Sequence, residues 1–310
     1  MTPNNQLPLE ENFEERGETI GVPGASKLPA GLYLVATPIG NLGDISQRAI
    51  STLRSVDRIA AEDTRVARRL LSALAIGRQR VERYDDHADD AARNRLLQLI
   101  AGGEAIALVS DAGTPLIADP GFKLVRAARA AGLRVTGIPG ASAPVLALAL
   151  SGLPSDRFLF AGFLPAKSGA RRGELQALAT IPATLVVFES PSRLAASLAD
   201  MAATLGADRP AAIARELTKM FEEIQSGTLG ELAALHAARE APKGEIVVVI
   251  GPPLPETPGA ERESDIDAQL SAALATLSLR DAVAAVAGAT GQPRRLVYAR
   301  ALARARDGKA

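Results

Sequence analysis

Four short runs in the first half of the chain, residues 32–36, 58–61, 105–109 and 134–138, carry the apolar and β-branched residues of buried strands, and each gives way to a helical pattern. Ser46 can cap a helix with Ala49, Ile50 and Leu53 on one face. The next helix places Val66, Leu70 and Leu74 at i, i+4 and i+8, the one after residue 121 carries Phe122, Val125 and Ala128, and a helix of small residues starts at Ser142. Such alternation of strand and helix builds a mostly parallel, doubly wound α/β sheet. A second α/β unit begins near Arg157, with strands expected at 158–163, 184–188, 211–214 and 245–250 and helices near 192–204 and 229–238.

A chain of 310 residues exceeds the size at which one hydrophobic core stops growing, roughly 250–300 residues, so more than one core is expected. The division expected is a disordered acidic tail at 1–28, α/β domains at 29–152 and 153–252, a linker at 253–264 and a helical module at 265–310. The linker rests on the composition of PPLPETPGAERES. In the last module Ser278 and Asp281 read as a capping box, Val283 and Val286 as a core stripe, Gly291 as a helix stop and Pro293 as the start of the last helix. Two short helices across a glycine turn are compatible with a helix-turn-helix, although many helical hairpins never touch nucleic acid.

Charge narrows the function. Lys plus Arg and Asp plus Glu are 35 each, so no global basic field draws the chain to nucleic acid. The zero hides an acidic front (Glu10, Glu11, Glu14, Glu15, Glu18) and a basic back (Arg294, Arg295, Arg300, Arg304, Arg306, Lys309). Three Tyr, seven Phe and no Trp argue against a platform that stacks several bases. The absence of Cys removes disulfides, thiolate metal sites and cysteine nucleophiles. With only His87, read as a solvated helix start, and His236, read as a surface helix residue, neither a structural zinc site nor a Ser-His-Asp triad is expected, and no metal is assigned. No apolar run reaches about 18 residues and no signal-like segment is read, so a cytoplasmic protein without membrane contact is expected.

Ligands of open α/β sheets lie beyond the carboxyl ends of the strands. There this sequence has TPIGNLGD (37–44), SDAGTPLIADPG (110–121) and PGASA (139–143), mixing Gly and Pro with small polar residues that let backbone approach a ligand. Neither GxGxxG nor GxxxxGK[ST] is present, and the loops offer few cations. A neutral or zwitterionic ligand with an adenosine suits them better than a polyphosphate.

With AEDTR (61–65), GFLPAKS (162–168), ESPSRL (189–194) and ARELTKMFEEI (214–224), these loops form an ordered series in which the chain closely resembles the ribosomal RNA small subunit methyltransferase I family of the tetrapyrrole methylase superfamily. The resemblance runs from about Leu32 to Gly251, and LRDAVAAVAG…TGQPRRLVYARAL is similar to the family's helix-turn-helix appendix. It implies two α/β domains with S-adenosyl-L-methionine in the cleft between them, a homodimer, and 2′-O-methylation of a cytidine ribose in the decoding region of 16S ribosomal RNA. Carried over by position, it implies donor contacts from Pro38, Asp111, Ala112, Gly113, Thr114, Ser142, Ala143, Leu217 and Gly244. The sequence departs from the family at Ala118, where Ser is common, and at Ser192, where His is frequent.

A ribose hydroxyl is a weak nucleophile that gains from a base. Glu62 and Asp63 follow a strand and open a helix, which makes them cleft-side candidates for proton acceptance, with helix capping as the other reading, Asp63 especially. Glu189 and Glu216 come next. For RNA, Arg65, Arg68 and Arg69 share one helix face, Lys167, Arg171 and Arg172 sit on a flexible Gly/Ser loop, and Arg294, Arg295, Arg300 and Arg304 lie on the last helix. Together with the resemblance, the 167–172 loop and the C-terminal helix are favoured, as contacts that position the RNA backbone. Neutral net charge and few aromatics favour recognition of RNA shape on an assembled small ribosomal subunit over naked RNA. A corrin-precursor C-methyltransferase is the main rival, but it leaves the basic helical module unexplained. A non-enzymatic nucleic-acid binder leaves the loops unexplained.

Overall fold

A computed structural model of the protein describes residues 27–77, 79–85, 90–254 and 260–307. The acidic tail up to residue 26, His87, Lys309 and the 255–259 part of the expected linker lie outside the described residues, as do the side chains of Arg304 and Arg306. The chain divides into two compact units between Pro252 and Pro253.

The first unit contains two five-stranded sheets. Its leading half runs β1 (Gly31–Val35), α1 (Gln47–Ser55), β2 (Arg58–Ala61), α2 (Thr64–Ala73), β3 (Arg80–Arg83), α3 (Asp90–Ala101), β4 (Ala105–Val109), α4 (Phe122–Ala130), β5 (Val135–Ile138) and α5 (Ala143–Leu150). The strands pair in parallel in the order β3-β2-β4-β1-β5. Residues alternate between the faces, as the pleat requires. Tyr33, Val35, Ile59 and Ala107 pack against Ala49 and Leu53 of α1 and Ala67 and Leu71 of α2. Leu32, Ala60, Ile106 and Leu108 pack against Leu96 and Ile100 of α3 and Leu124 and Ala128 of α4. Helices on both faces make the sheet doubly wound.

Two expected helix stripes are rotated. In α2 the buried positions are Ala67 and Leu71, with Val66 and Leu70 only half-buried. In α4 Leu124 turns inward and Phe122 stays exposed. The expected outline lacked β3 and gave of α3 only the helix start read at His87; β3 is a charged edge strand, RVER, with no fully buried position.

The trailing half runs β6 (Phe158–Phe163), α6 (Ser168–Leu178), β7 (Thr184–Glu189), α7 (Leu194–Leu205), β8 (Pro210–Arg215), β9 (Glu223–Thr228), α8 (Leu229–Ala237) and β10 (Ile246–Ile250). The order β6-β7-β10-β8-β9 is mixed: β6 and β7 are parallel and the other pairs antiparallel. Leu185, Val187, Ile213, Ile246 and Val248 face Leu175, Leu198, Met201 and Leu232 on α6, α7 and α8. The opposite face, with Val186, Ala214, Val247 and Val249, packs on Ala147 and Leu148 of α5. One helix of the leading half thus covers the second sheet and sets the relation of the two halves. The expected 167–172 loop is instead the start of α6, with Lys167 at the N-cap position and no side-chain cap.

The second unit holds α9 (Ala260–Leu274), α10 (Leu279–Thr290) and α11 (Arg294–Asp307). Residues 260–264, expected as linker, open α9. Ser278 caps α10 by accepting from the Asp281 amide, and Gly291 ends it in the left-handed conformation. Ile266, Leu270, Val283, Val286, Val297 and Ala301 form its core.

Candidate functional site

The leading sheet reverses strand order about β1, whose loop departs towards β2 while that of β4 departs towards β5. At this point the two loops are tied together. Thr37 and Gly113 exchange backbone hydrogen bonds of 2.8 and 3.1 Å, and the Thr114 hydroxyl donates to the Ala141 carbonyl at 3.0 Å. Across the gap, Gly40 (φ 152°) lies so close to the Lys219 side chain that a Cβ would fall 2.5 Å from its Cγ. Only glycine lets the loop after β1 meet the turn after β8.

Between these elements is a cavity of about 380 Å³. The leading half lines it with Ile39, Ala112, Gly113, Thr114, Ser142 and Ala143, and with Ile117, Ala118 and Asp119 from the same long loop. The trailing half contributes Phe163, Phe188, Glu189, Leu217, Gly244 and Glu245. Of the expected donor contacts, Ala112, Gly113, Thr114, Ser142, Ala143, Leu217 and Gly244 therefore share one cavity. Pro38 is outside the lining, with Ile39 next to it taking the place, and Asp111 faces a separate polar hollow with Glu62, Asp63, Thr64, Arg65 and Arg83.

Lys and Arg are missing from the cavity lining, which carries three carboxylates, and their states differ. Glu189 is buried, accepts from the Ser197 hydroxyl, from the Ser190 amide at 2.7 Å and pairs with Arg193 at 3.2 Å. Glu245 pairs with Lys219 at 3.0 Å. Asp119 pairs with no Lys or Arg among the described residues. Burial, with the Glu62 charge as a second cause, pushes its carboxyl up to about 6.

The other expected carboxylates are held elsewhere. Asp63 caps α2 through the Arg65 amide at 2.8 Å and pairs with the Arg65 guanidinium at 2.5 Å, which holds its carboxyl far below the usual range. These contacts match the capping reading of Asp63. Its backbone amide donates to Asp111 at 3.1 Å, joining the loops after β2 and β4. Glu216 accepts from Lys219 at 2.8 Å and from the Glu245 amide at 3.0 Å, and its carboxyl is lowered, first by Lys219.

Arg171 corrects a cationic expectation. Its guanidinium is buried, pairs with Asp200 at 2.6 Å and donates to the carbonyls of Pro165 and Ala166 at 3.3 and 3.0 Å. The helix places its side chain inward, where every donor contact is internal, so it does not present charge to RNA. Lys167, Arg172, Arg294 and Arg295 are exposed. His236 is half-buried, with Nε2 2.7 Å from Gln225 Oε1. Among the described residues no three His, Cys, Asp or Glu side chains are grouped as metal ligands, and no helix is long and apolar enough to cross a membrane.

Sequence reasoning missed Phe163, Phe188 and Asp119 in the lining. A signal for Asp119 was present, since it is the second carboxylate of SDAGTPLIADPG, ten positions from the strand end but folded back to the same opening.

The fold, two α/β halves around one cavity, is that of the family whose model matches most of the chain. The Tetrapyrrole (Corrin/Porphyrin) Methylases family matches residues 31–233, and the RsmI C-terminal HTH domain matches residues 260–305. Among solved structures, uroporphyrin-III-C-methyltransferase from Thermus thermophilus superposes with a TM-score of 0.51 at 20% identity, over 72% of this chain and 94% of that one; this likeness shows the fold. Relatives named ribosomal RNA small subunit methyltransferase I are far nearer in sequence. That of Mesorhizobium japonicum is 50% identical over 284 residues, 90% of this chain and 95% of the relative. That of Erythrobacter litoralis is 52% identical over 278 residues, 90% and 96% respectively. The chain belongs to the ribosomal RNA small subunit methyltransferase I family.

Proposed function

We propose that the protein transfers a methyl group from S-adenosyl-L-methionine to the 2′-oxygen of a cytidine ribose in the decoding region of 16S ribosomal RNA, with the assembled small ribosomal subunit as substrate. The observation that carries the donor is the cavity lining, mostly apolar, with three carboxylates and no Lys or Arg. Such a lining disfavours a polyphosphate and suits an amphipathic ligand with a positive centre. When bound, the donor supplies an electrophilic methyl on a sulfonium. The backbone of Ala143 and Gly244 offers amides and carbonyls to the polar ends of such a ligand, and Phe163 and Phe188 offer aromatic surface to a base. Positioning in the cavity does much of the work of an in-line displacement. The names of the relatives support ribosomal RNA as the acceptor.

On the acceptor side, Lys167, Arg172, Arg294 and Arg295 are the exposed cations assigned to RNA phosphates. Exposed Met220 and Phe221, in the turn after β8, support a homodimer by offering apolar surface to a second copy. The protein is placed in the cytoplasm, where ribosomes assemble, and no metal is assigned to the reaction.

Transfer of radiolabelled methyl to small subunits lacking their native ribose methylations, with free 16S RNA alongside, tests this directly. A 2′-O-methylcytidine in the decoding region, formed on the particle, is the expected product. Absence of label from both substrates, with donor bound, would overturn the acceptor while leaving the fold.

A further inference from the structure

A methyl-accepting hydroxyl must lose its proton, and carboxylates stand both in the cavity lining and on the loops beside it, so a proton acceptor must have a lone pair to spare. Glu189 has its oxygens engaged by Ser197, Ser190 and Arg193. Glu245 and Glu216 share Lys219. Asp63 caps α2 and pairs with Arg65, and Asp111 holds the Asp63 amide. Asp119 remains: it lines the cavity, its side-chain hydrogen-bond partner is the neutral Ser110, and no cation pairs with it among the described residues.

The backbone around Asp119 points the same way. Leu116 (φ 74°) and Ala118 (φ 64°) both adopt the left-handed region that non-glycine residues avoid. At Gly121 (φ 127°) a Cβ would lie 2.7 Å from Leu108 Cδ2, so the loop is pressed onto the sheet at its far end. Two strained residues flanking one turn cost of order 1–3 kcal/mol each and persist where the surroundings over-determine them, often at reactive sites. Residues 114–121 fold back so that Asp119 lines the same cavity as Ala112 and Gly113 at the end of β4.

We propose that Asp119 is the catalytic proton acceptor for the methyl-accepting hydroxyl, a role that rests on the methyl transfer proposed above. The hydroxyl oxygen forms a bond to the methyl carbon as the carbon–sulfur bond breaks with its electron pair left on sulfur, and the hydroxyl proton passes to the Asp119 carboxylate. The products are the methyl ether, the neutral thioether and a protonated Asp119, which returns its proton to solvent. The charged groups facing Asp119 are Glu62 after β2 and Asp111 after β4; Glu189 and Glu245 line the same cavity from the trailing half. Glu62 then acts as a positioning residue, since its negative charge keeps Asp119 basic enough for the task.

The test uses the full chain and undermethylated small subunits between pH 5 and 9, with donor binding followed by calorimetry. In the wild-type protein the rate should rise as pH passes about 6 and then level off, because only the ionised carboxylate accepts a proton. Asp119→Asn should lower the plateau on the order of 10²- to 10⁴-fold, remove that limb and leave donor affinity within a few-fold. Asp119→Glu should restore part of both rate and limb. Glu62→Gln should move the limb to lower pH. Carbon-13 NMR of the free protein, with the Asp119 carboxyl assigned by its loss in Asp119→Asn, should show titration near 6 without any turnover.

Asp119→Asn with wild-type rate or an unmoved limb would overturn the assignment. So would a carboxyl that titrates at the ordinary aspartate value, or a loss of donor affinity as large as the loss of rate. Failure of the wild-type protein to label small subunits would instead remove the acceptor reading, and this assignment with it.

Discussion

The two halves of the first unit treat charge in opposite ways. The trailing half, beside exposed pairs such as Arg215–Glu223, holds buried charged groups that are all partnered: Arg171 with Asp200, Glu189 with Arg193 and Ser197, and Arg209 with the carbonyls of Gly251 and Ala179. The leading half keeps its pairs towards solvent, as in Arg65–Asp63 and Arg83–Asp85, and its better covered pair, Arg58–Glu104, sits at the strand starts, far from the cavity. At the cavity itself it presents Asp119 with no cationic partner among the described residues. A buried charge with a satisfied partner fixes geometry, whereas one without a partner stores reactivity at a cost in stability. The trailing half is thus the fixed wall of the cleft and the leading half the reactive one.

The largest effect should come from breaking a pair in the fixed wall. Asp200→Ala leaves the Arg171 guanidinium buried with only carbonyl partners and should cost about 3–5 kcal/mol, read as a drop in the thermal unfolding midpoint. The same truncation at Asp85, whose partner Arg83 is well exposed, should change stability far less. Equal losses at the two positions would erase the distinction between the halves.

An opposite sign is expected in the reactive wall. The folded-state carboxyl of Asp119 lies near 6, above the value of about 3.9 for an unfolded aspartate. Between those values the native state binds more protons, so this group's contribution to stability falls as pH rises from about 4 to about 6 and stays low above that. Asp119→Asn removes the penalty. After discounting for partial solvent screening, the variant should be more stable than wild type by about 1 kcal/mol at pH 7.5, with the gain shrinking towards pH 4. Denaturant unfolding at both pH values checks it, and a destabilised variant at pH 7.5 would show that Asp119 is a structural ligand of its loop.

How far this arrangement could be seen in the sequence depends on the range of the interactions. The strands at 58–61 and 105–109 were legible to the residue because a short apolar run between turn signals is a local pattern. The Ser46 and Ser278 caps were legible for the same reason. The charged edge strand β3 lacked any hydrophobic signal, and β9, EIQSGT, is paired by β8 and not by its own propensity. At the site, the small-residue loops located the cavity, but whether a carboxylate there is paired depends on residues far away in the chain. Asp63 and Asp119 look alike as letters, and only tertiary contacts give one an arginine and the other a desolvated turn.

Neighbouring arginines show the same dependence at the scale of one residue. Arg171 and Arg172 are indistinguishable by composition, yet successive positions of α6 point about 100° apart, so one enters the trailing half and the other faces solvent. Arg172→Ala should therefore leave stability within about 0.5 kcal/mol of wild type. If its guanidinium meets an RNA phosphate, the slope of log affinity for small subunits against log salt should become shallower by about 1, with a similar change for Lys167→Ala. Filter binding across a salt series at fixed pH reads both. An unchanged slope in both variants would move the RNA surface away from α6, and the exposed Arg294 and Arg295 of the second unit would then have to supply it.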